Sequence, residues 1–279
     1  MKTLVFGQSG QVARELQAQG QVIALSRSDA DLSDPASCAA AILHHDPQVV
    51  INAAAYTAVD QAETERDLAQ LVNADAPAAM ARACATTGAR FLHISTDYVF
   101  DGSGQRPWTP QDETGPLGVY GQTKLDGETA VAGAGARHAI LRTSWVFSAH
   151  GNNFVKTMLR LGADRDELTI VADQIGGPTP AADIAAALLA MAAQPDGPDG
   201  IYHFGGAPWV SWADFAREIF AQSQVNCRVT DIPTSQFPTP ARRPANSRLD
   251  GQALARDYGI SPPVWREGLT KVLDELTKT

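Results

Sequence analysis

Positive charge is scarce in this chain. Only 22 lysines and arginines stand against 31 aspartates and glutamates in 279 residues, a formal charge of -9. A broad cationic footprint for nucleic acid or for an anionic membrane surface is therefore excluded. Cysteine is scarcer still. Cys38, Cys84 and Cys227 are odd in number and far apart, without metal-ligand spacing. They read as buried, reduced thiols of a cytoplasmic protein, not as a disulfide framework or a zinc site. No apolar run approaches the ~20 residues of a membrane helix, and the opening run Met1 to Phe6 breaks at Gly7 too early to form a signal-peptide core. The six histidines are scattered. Even the His44-His45 pair reads as a helix end ahead of Asp46-Pro47, so no histidine metal site is expected. Internal repeats and low-complexity tracts are also missing.

What is there suits a globular protein: 44% hydrophobic and 19% charged residues, in a chain long enough for a sizeable core. Through the first half, short apolar runs alternate with longer helical patterns. Thr3 to Phe6, Val22 to Leu25, Val49 to Asn52, Arg90 to Ser95 and His138 to Thr143 read as strands. Val12 to Gln19, Pro35 to His44, Asp67 to Thr86 and Tyr120 to Ala132 read as the helices between them. That alternation predicts an α/β, Rossmann-like, doubly wound parallel sheet with right-handed crossovers. In the second half, helices are predicted at Asn153 to Leu161, Ala181 to Ala193, Trp212 to Gln222 and Trp265 to Thr277, separated by Pro- and Gly-rich loops. The division expected is a dinucleotide-binding domain over 1–148 and a smaller, mainly substrate-binding lobe over 149–279, with 167–185 a candidate to rejoin the main sheet.

Gly7-x-x-Gly10-x-x-Ala13 follows the first strand and opens the first helix, the context of a dinucleotide site. Glycines allow a tight turn and close backbone approach. The helix N-terminus adds free N-H groups and a favourable dipole for a pyrophosphate. The same turn also serves as a plain strand-to-helix connection. The second strand ends at Ser26-Arg27-Ser28, with no carboxylate where NAD-selective sites hold the ribose hydroxyl. Arg27, with Ser26 and Ser28 as further donors, suits a 2'-phosphate, so NADPH is expected in preference to NADH. Asp31 and Leu32 are candidates to line the adenine, or Asp31 simply caps a turn. Ala53, Ala54 and Ala55 close the third strand with side chains small enough for a cofactor to lie against backbone, or for ordinary packing.

Tyr120 and Lys124 are four residues apart on a predicted helix, which stacks them on one face roughly 5–6 Å apart at Cβ. An ammonium beside a phenol favours phenolate and draws its pKa down from about 10 toward working pH, where a proton donor is more effective. Ser95-Thr96-Asp97 precedes them. This pattern belongs to nicotinamide enzymes that protonate a carbonyl oxygen while hydride is delivered. Arg242, Arg243 and Arg248 cluster in an otherwise acidic chain. Arginine forks suit a diphosphate bidentately, although a solvated surface loop accounts for them equally well.

These segments resemble the extended short-chain dehydrogenase/reductases, and within them the family of dTDP-4-dehydrorhamnose reductases. The resemblance runs nearly end to end. Its most specific pieces are Val50 to Asp60, Ser95 to Gly102, Val119 to Lys124, Leu141 to Val146, Gly151 to Val155 and Pro240 to Leu249. The resemblance implies that Thr96, Tyr120 and Lys124 form the catalytic set, with Thr96 bonding the keto oxygen. It implies that Gly10, Gln11, Val12, Asp31, Leu32, Ala53, Ala54 and Ala55 meet the cofactor along with Tyr120 and Lys124. Thr96, Asp97, Trp145, Asn153 and Arg243 then fall to the sugar nucleotide, although Trp145 read alone suits a core. The reaction implied is reduction of the C4 ketone of dTDP-4-dehydro-L-rhamnose by NADPH. The family pattern has an acidic residue where Ser26 stands, which fits acceptance of NADH as well. The resemblance also implies a homodimer with Mg2+ held by glutamates at its interface. Glu15 and Glu275 match two of those positions, but the third falls on or near Ala182, beside Asp183, so no metal ligand set is assigned.

Two other readings use the same residues. A sugar-nucleotide epimerase or dehydratase returns the hydride and needs an added acid and base near Thr96. Asp97 offers one carboxylate, but Tyr98 follows it where a second would stand. A non-catalytic regulatory subunit, similar to that of methionine adenosyltransferase, would be free to lose Thr96, Tyr120 and Lys124, all of which are present.

Overall fold

Four of the first five apolar runs are buried on both faces, so each reads as an uninterrupted hydrophobic stretch. In the computed structural model, which describes residues 1–278, they form the strands Thr3–Phe6 (β1), Val22–Leu25 (β2), Val49–Asn52 (β3), Arg90–Thr96 (β4) and His138–Thr143 (β5). With a sixth strand at Gly200–His203 they build one parallel sheet in the order Gly200–His203, β5, β4, β3, β1, β2. Alternate residues serve opposite sides. Leu4, Phe6, Val50, Phe91 and Ile140 join one core with Cys38, Ile42, Met80 and Cys84. Val5, Ile51, Leu92 and Leu141 join the other with Leu16, Ile184 and Leu188. A third core, including Phe147, Met158, Phe215, Ile219, Trp265 and Leu269, fills the C-terminal lobe.

The chain order reverses between β1 and β3. Doubly wound sheets bind ligands in the crevice beyond the carboxyl ends of strands at such a switch. The helices Gln11–Gln19 (α1) and Pro35–His45 (α2) cover opposite faces near it.

Three expectations are corrected. The segment 167–185 does not rejoin the main sheet as a strand. Glu167–Val171 pairs in parallel with Arg228–Ile232 in a separate two-stranded sheet. Its exposed Glu167 and Thr169 alternate with Leu168 and Ile170, which pack on the C-terminal core, a pattern suited to one wet face and not to a central parallel strand. The return is made instead by the helix Ala181–Ala192, packed on α1, and by Gly200–His203 beside β5. Second, the helix expected over Asp67 to Thr86 is three pieces: Arg66–Gln70, a π turn Leu71–Asp75, and Ala76–Thr87. Pro77 has no N-H to return to the Asn73 carbonyl, and the wider turn accommodates that break. Third, helices at Val59–Ala62 and Gln252–Tyr258 were not legible in the pattern.

Candidate active site

Gly7 and the Ala53 to Ala55 segment meet at the switch. The Gly7 amide donates to Leu25 O at 3.1 Å and the Ala53 amide to Phe6 O at 3.0 Å. Gly7 has φ +105°, a conformation that residues with a side chain rarely adopt, so the turn favours glycine. Gly10 precedes α1 with open space around its Cα, and no side chain caps the helix. The first-turn N-H groups thus face the crevice, a cradle that fits a dinucleotide pyrophosphate. The neighbouring Gln11 side chain is committed elsewhere: its Oε1 accepts from Ser148 Oγ and Asn153 Nδ2, both at 3.0 Å. Val12 is buried in the core beneath the turn.

At the end of β2, Arg27 is exposed and pairs with Asp31 at 3.2 Å. Asp31 also accepts from the Ser33 amide, and Leu32 is a core residue beside Leu25 and Cys38. The carboxylate missing from the strand end arrives three residues on. Asp29 Oδ2 accepts from the Ser26 amide at 2.8 Å and from Ser26 Oγ at 2.6 Å. Those bonds hold its carboxyl below the usual range.

The helix Val119–Gly133 carries Tyr120 and Lys124 and crosses the end of β4. Gly121 makes that crossing possible, since a side chain there would collide with Tyr98 O. Glu63 Oε1 accepts the Val119 N-H at 2.9 Å, anchoring the helix start. Thr96 closes β4; its hydroxyl donates to Asp97 Oδ1 at 3.1 Å and accepts the Tyr98 N-H at 3.2 Å. The Tyr120 ring lies edge-on to Tyr98, centroids 5.3 Å apart.

The expected electrostatics of the Tyr-Lys pair are not met. Burial pushes the Tyr120 phenol above its ordinary value, and the hydrogen bond with Thr96 pulls partly the other way. Lys124 is not among the groups acting on it. The amine turns to β4, donating to Ile94 O at 2.7 Å and lying 3.3 Å from His93 Nε2. Helical spacing puts both residues on one face, but a buried ammonium must find acceptors, and the strand carbonyl supplies one. Burial lowers Lys124 to about 8, with Glu128 acting against it. Glu128 is itself bonded by Arg142 at 2.9 and 2.6 Å, both residues being buried.

The C-terminal lobe reaches the same place. The Asn246 amide donates to Gly102 O at 3.0 Å, and the Pro244 backbone abuts Gly102. Ser247 stands by Asp97, whose carboxyl burial pushes up to about 6, the Ser247 and Thr96 hydroxyls partly offsetting this. Arg243 Nη2 donates to Asp60 Oδ2 at 2.7 Å and its guanidinium faces Tyr98. Arg248 bonds Asn246 Oδ1 at 3.0 Å, and Arg242 is exposed. Trp145 adopts φ +50°, a strained conformation for an aromatic residue. Its indole stacks on Trp212 with centroids 3.5 Å apart and packs over Gly176. Asn153 caps the helix Phe154–Ala163, its Oδ1 accepting from the Lys156 amide, while its Nδ2 serves Gln11 and Ser148. Its polar atoms therefore tie the lobe to α1.

Glu15, His150 and Glu275 bring ligand atoms within 4.8 Å of one another. Ala182 contributes no side-chain ligand, and burial among Glu267 and Lys271 surrounds Asp183. An imidazole in place of a third carboxylate does not fit Mg2+, which takes oxygen ligands.

Sequence reasoning missed several residues that organise this site: Asp29, Asp60, Glu63, Asn73 and His93. Asn73 bridges the Tyr56 backbone and Thr123 Oγ1 from the π turn. The one available signal was polar residues, Asn52 and His93, interrupting otherwise apolar strands.

A family model described as the RmlD substrate binding domain matches residues 1–278. A dTDP-4-dehydrorhamnose reductase of Sinorhizobium fredii is 44% identical, covering 98% of this chain and 97% of that protein. The crystal structure of a dTDP-4-dehydrorhamnose reductase from Clostridium acetobutylicum superposes with TM-score 0.94 at 39% identity, over 99% of this chain and 100% of that one. A dTDP-4-dehydrorhamnose reductase of Bacillus anthracis, solved in complex with NADP, gives 0.93 at 34% identity, over 99% and 100%. The chain belongs to the RmlD substrate binding domain family, with the dTDP-4-dehydrorhamnose reductases as its relatives.

Proposed function

We propose that this chain reduces the C4 ketone of dTDP-4-dehydro-L-rhamnose to dTDP-L-rhamnose with NADPH, as its relatives' names and the NADP complex suggest. The observation that carries the reading is the convergence of Thr96 and Tyr120 on Tyr98 at the end of β4: Thr96 Oγ1 accepts the Tyr98 N-H, and the Tyr120 ring lies edge-on to the Tyr98 ring, in the sheet whose switch holds the glycine cradle. Bound NADPH would supply hydride to the carbonyl carbon. Negative charge then develops on the ketone oxygen, where Thr96 Oγ1 holds it and Tyr120 delivers its proton. A raised phenol pKa keeps Tyr120 protonated at neutral pH, so the proton is present to give. Preorganised donors at a developing oxyanion carry a large share of such catalysis. Lys124 completes the set as a buried amine poised to exchange a proton near neutrality.

Asp97, Trp145 and Arg243 are assigned to the sugar nucleotide, the arginine to its diphosphate. Asn153 supports them by fixing the lobe against α1. The cradle at Gly7, Gly10 and Ala53 to Ala55 takes the dinucleotide, with Ser26 and Arg27 toward its adenosine end. The working unit is a homodimer, testable by light scattering, and no step uses a metal. The deciding assay follows NADPH oxidation across a panel of nucleoside diphosphate 4-keto sugars. Stoichiometric oxidation with the dTDP-4-dehydro-L-rhamnose substrate is expected. Turnover of the sugar with NADPH left unchanged would instead favour an epimerase or dehydratase.

A further inference from the structure

His93 lies in the middle of β4 with no solvent exposure, between Asn52 at the end of β3 and Lys124 on the helix above. Its Nδ1 is 3.2 Å from Asn52 Nδ2 and its Nε2 is 3.3 Å from Lys124 Nζ. The ring also stacks on Phe91, centroids 5.9 Å apart. A histidine inside an apolar sheet, bonded through both nitrogens, is held in one orientation.

The direction of each hydrogen bond in this row follows from one donor. The Ala54 backbone N-H donates to Asn52 Oδ1 at 3.1 Å, and a backbone N-H can do nothing else. Asn52 therefore turns its NH2 group to His93, so Nδ1 accepts. In the neutral ring the hydrogen then sits on Nε2, facing the lysine. Lys124 already donates to Ile94 O. As a neutral amine it has a lone pair for the Nε2 hydrogen. As an ammonium it sets one donor against another, or forces the ring tautomer to change and moves the conflict to Asn52. The row from Ala54 to Lys124 is fully satisfied only with the lysine uncharged.

We infer that His93, locked by Asn52, is a positioning residue for Lys124, presenting an N-H to the amine so that the lysine gives up its proton readily. The surroundings agree. Burial holds the His93 imidazole well below its ordinary value and keeps it neutral. The charge that opposes burial at Lys124 is Glu128 on its own helix, and Arg142 of β5 holds that carboxylate in a buried ion pair. Asn52, bonded to His93, and Asn73, bonded to the neighbouring Thr123, are uncharged. In a reductase that must replace the phenol proton each cycle, such an amine serves as a reservoir and not as a fixed cation. This rests on the assignment of Lys124 to the catalytic set.

The test is the titration of Lys124 itself, read by NMR on protein labelled with 15N-lysine and assigned with Lys124→Arg. The wild-type midpoint is expected near 8. His93→Gln offers the ammonium a carbonyl oxygen, and its midpoint should rise by about one unit or more. Asn52→Asp, as a second route, accepts a hydrogen from Nδ1 and frees Nε2 to accept from the ammonium, so it should shift the same way. A midpoint unmoved in whichever variants melt cooperatively, or a wild-type midpoint at the ordinary lysine value, overturns the inference. Full activity in Tyr120→Phe would sink the catalytic reading separately, leaving the titration result intact.

Discussion

Arg243 donates to the carboxylate of Asp60 at 2.7 Å, an ion pair that ties the C-terminal lobe to the short helix Val59–Ala62 after β3. The Ala241 amide donates to the same aspartate at 3.1 Å. Asp60 thus holds both the guanidinium and the backbone that carries it. If Arg243 reads the diphosphate, Arg243→Ala should raise KM for the sugar nucleotide tenfold or more, about 1.4 kcal/mol, with kcat changed far less. Asp60→Asn should raise the same KM by a smaller factor, because the arginine remains but loses its fixed direction. An unaltered KM in Arg243→Ala removes that residue from substrate binding.

Tyr120 stands among Thr96 and Tyr98, while the Lys124 amine is bonded to Ile94 O. Replacing it with Phe keeps the ring against Tyr98 and deletes only the proton. A fall in kcat of about 10² or more is expected, the usual worth of a general acid, with cofactor affinity retained in a binding titration. Because the phenol pKa is raised, the wild-type rate should show no loss of Tyr120 protonation between pH 6 and about 9. A variant turning over at the wild-type rate would strip the tyrosine of its role.

The reach of the sequence is clearest at this pair. Helical spacing put Tyr120 and Lys124 on one face, and the structure does the same. Spacing says nothing of where a long side chain ends, and the amine's destination is decided by Ile94 O and His93 from a strand some 30 residues earlier. The first five strands were legible because their apolar runs are sharply bounded, four of them buried on both faces. Gly200–His203 was not, since four residues behind a Pro- and Gly-rich loop look like more loop, and only the open edge of β5 makes them a strand. The π turn at Leu71–Asp75 is hidden for a similar reason: the alanine-rich pattern around it is continuous, and Pro77 alone marks the break. Asp29 was passed over because it lies beyond the strand end, and only the turn after β2 folds it back onto Ser26.

Asp97 gives a pH signature of stability. Its buried carboxyl titrates at about 6, against about 3.9 in an unfolded chain. A folded-state value raised in this way favours the protonated form, so its contribution is fully present below about pH 4 and is lost as pH climbs through 6. Above that, the ionised carboxylate costs about 2–3 kcal/mol. Asp97→Asn escapes the cost. Urea unfolding should show the variant gaining on wild type as pH rises from about 4 to 7, with a constant difference beyond. A difference independent of pH would mean that Asp97 is solvated or ion-paired after all.

Two side chains of opposite charge after β2 stand where the proposed choice of NADPH can be tested. Arg27 is exposed and pairs with Asp31 at 3.2 Å, a surface pairing from which it can turn toward a 2'-phosphate. Asp29, through the Ser26 amide and hydroxyl, uses the donors such a phosphate would seek and adds a negative charge beside them. A carboxylate in this region suits a ribose hydroxyl and therefore NADH, whereas a guanidinium suits the phosphate. The two should pull the ratio of kcat/KM for NADPH over NADH in opposite directions. Arg27→Ala should lower it, and Asp29→Ala should raise it, each by roughly tenfold. Should both variants move the ratio the same way, the turn after β2 does not discriminate by charge, and selection must come from elsewhere around the adenosine.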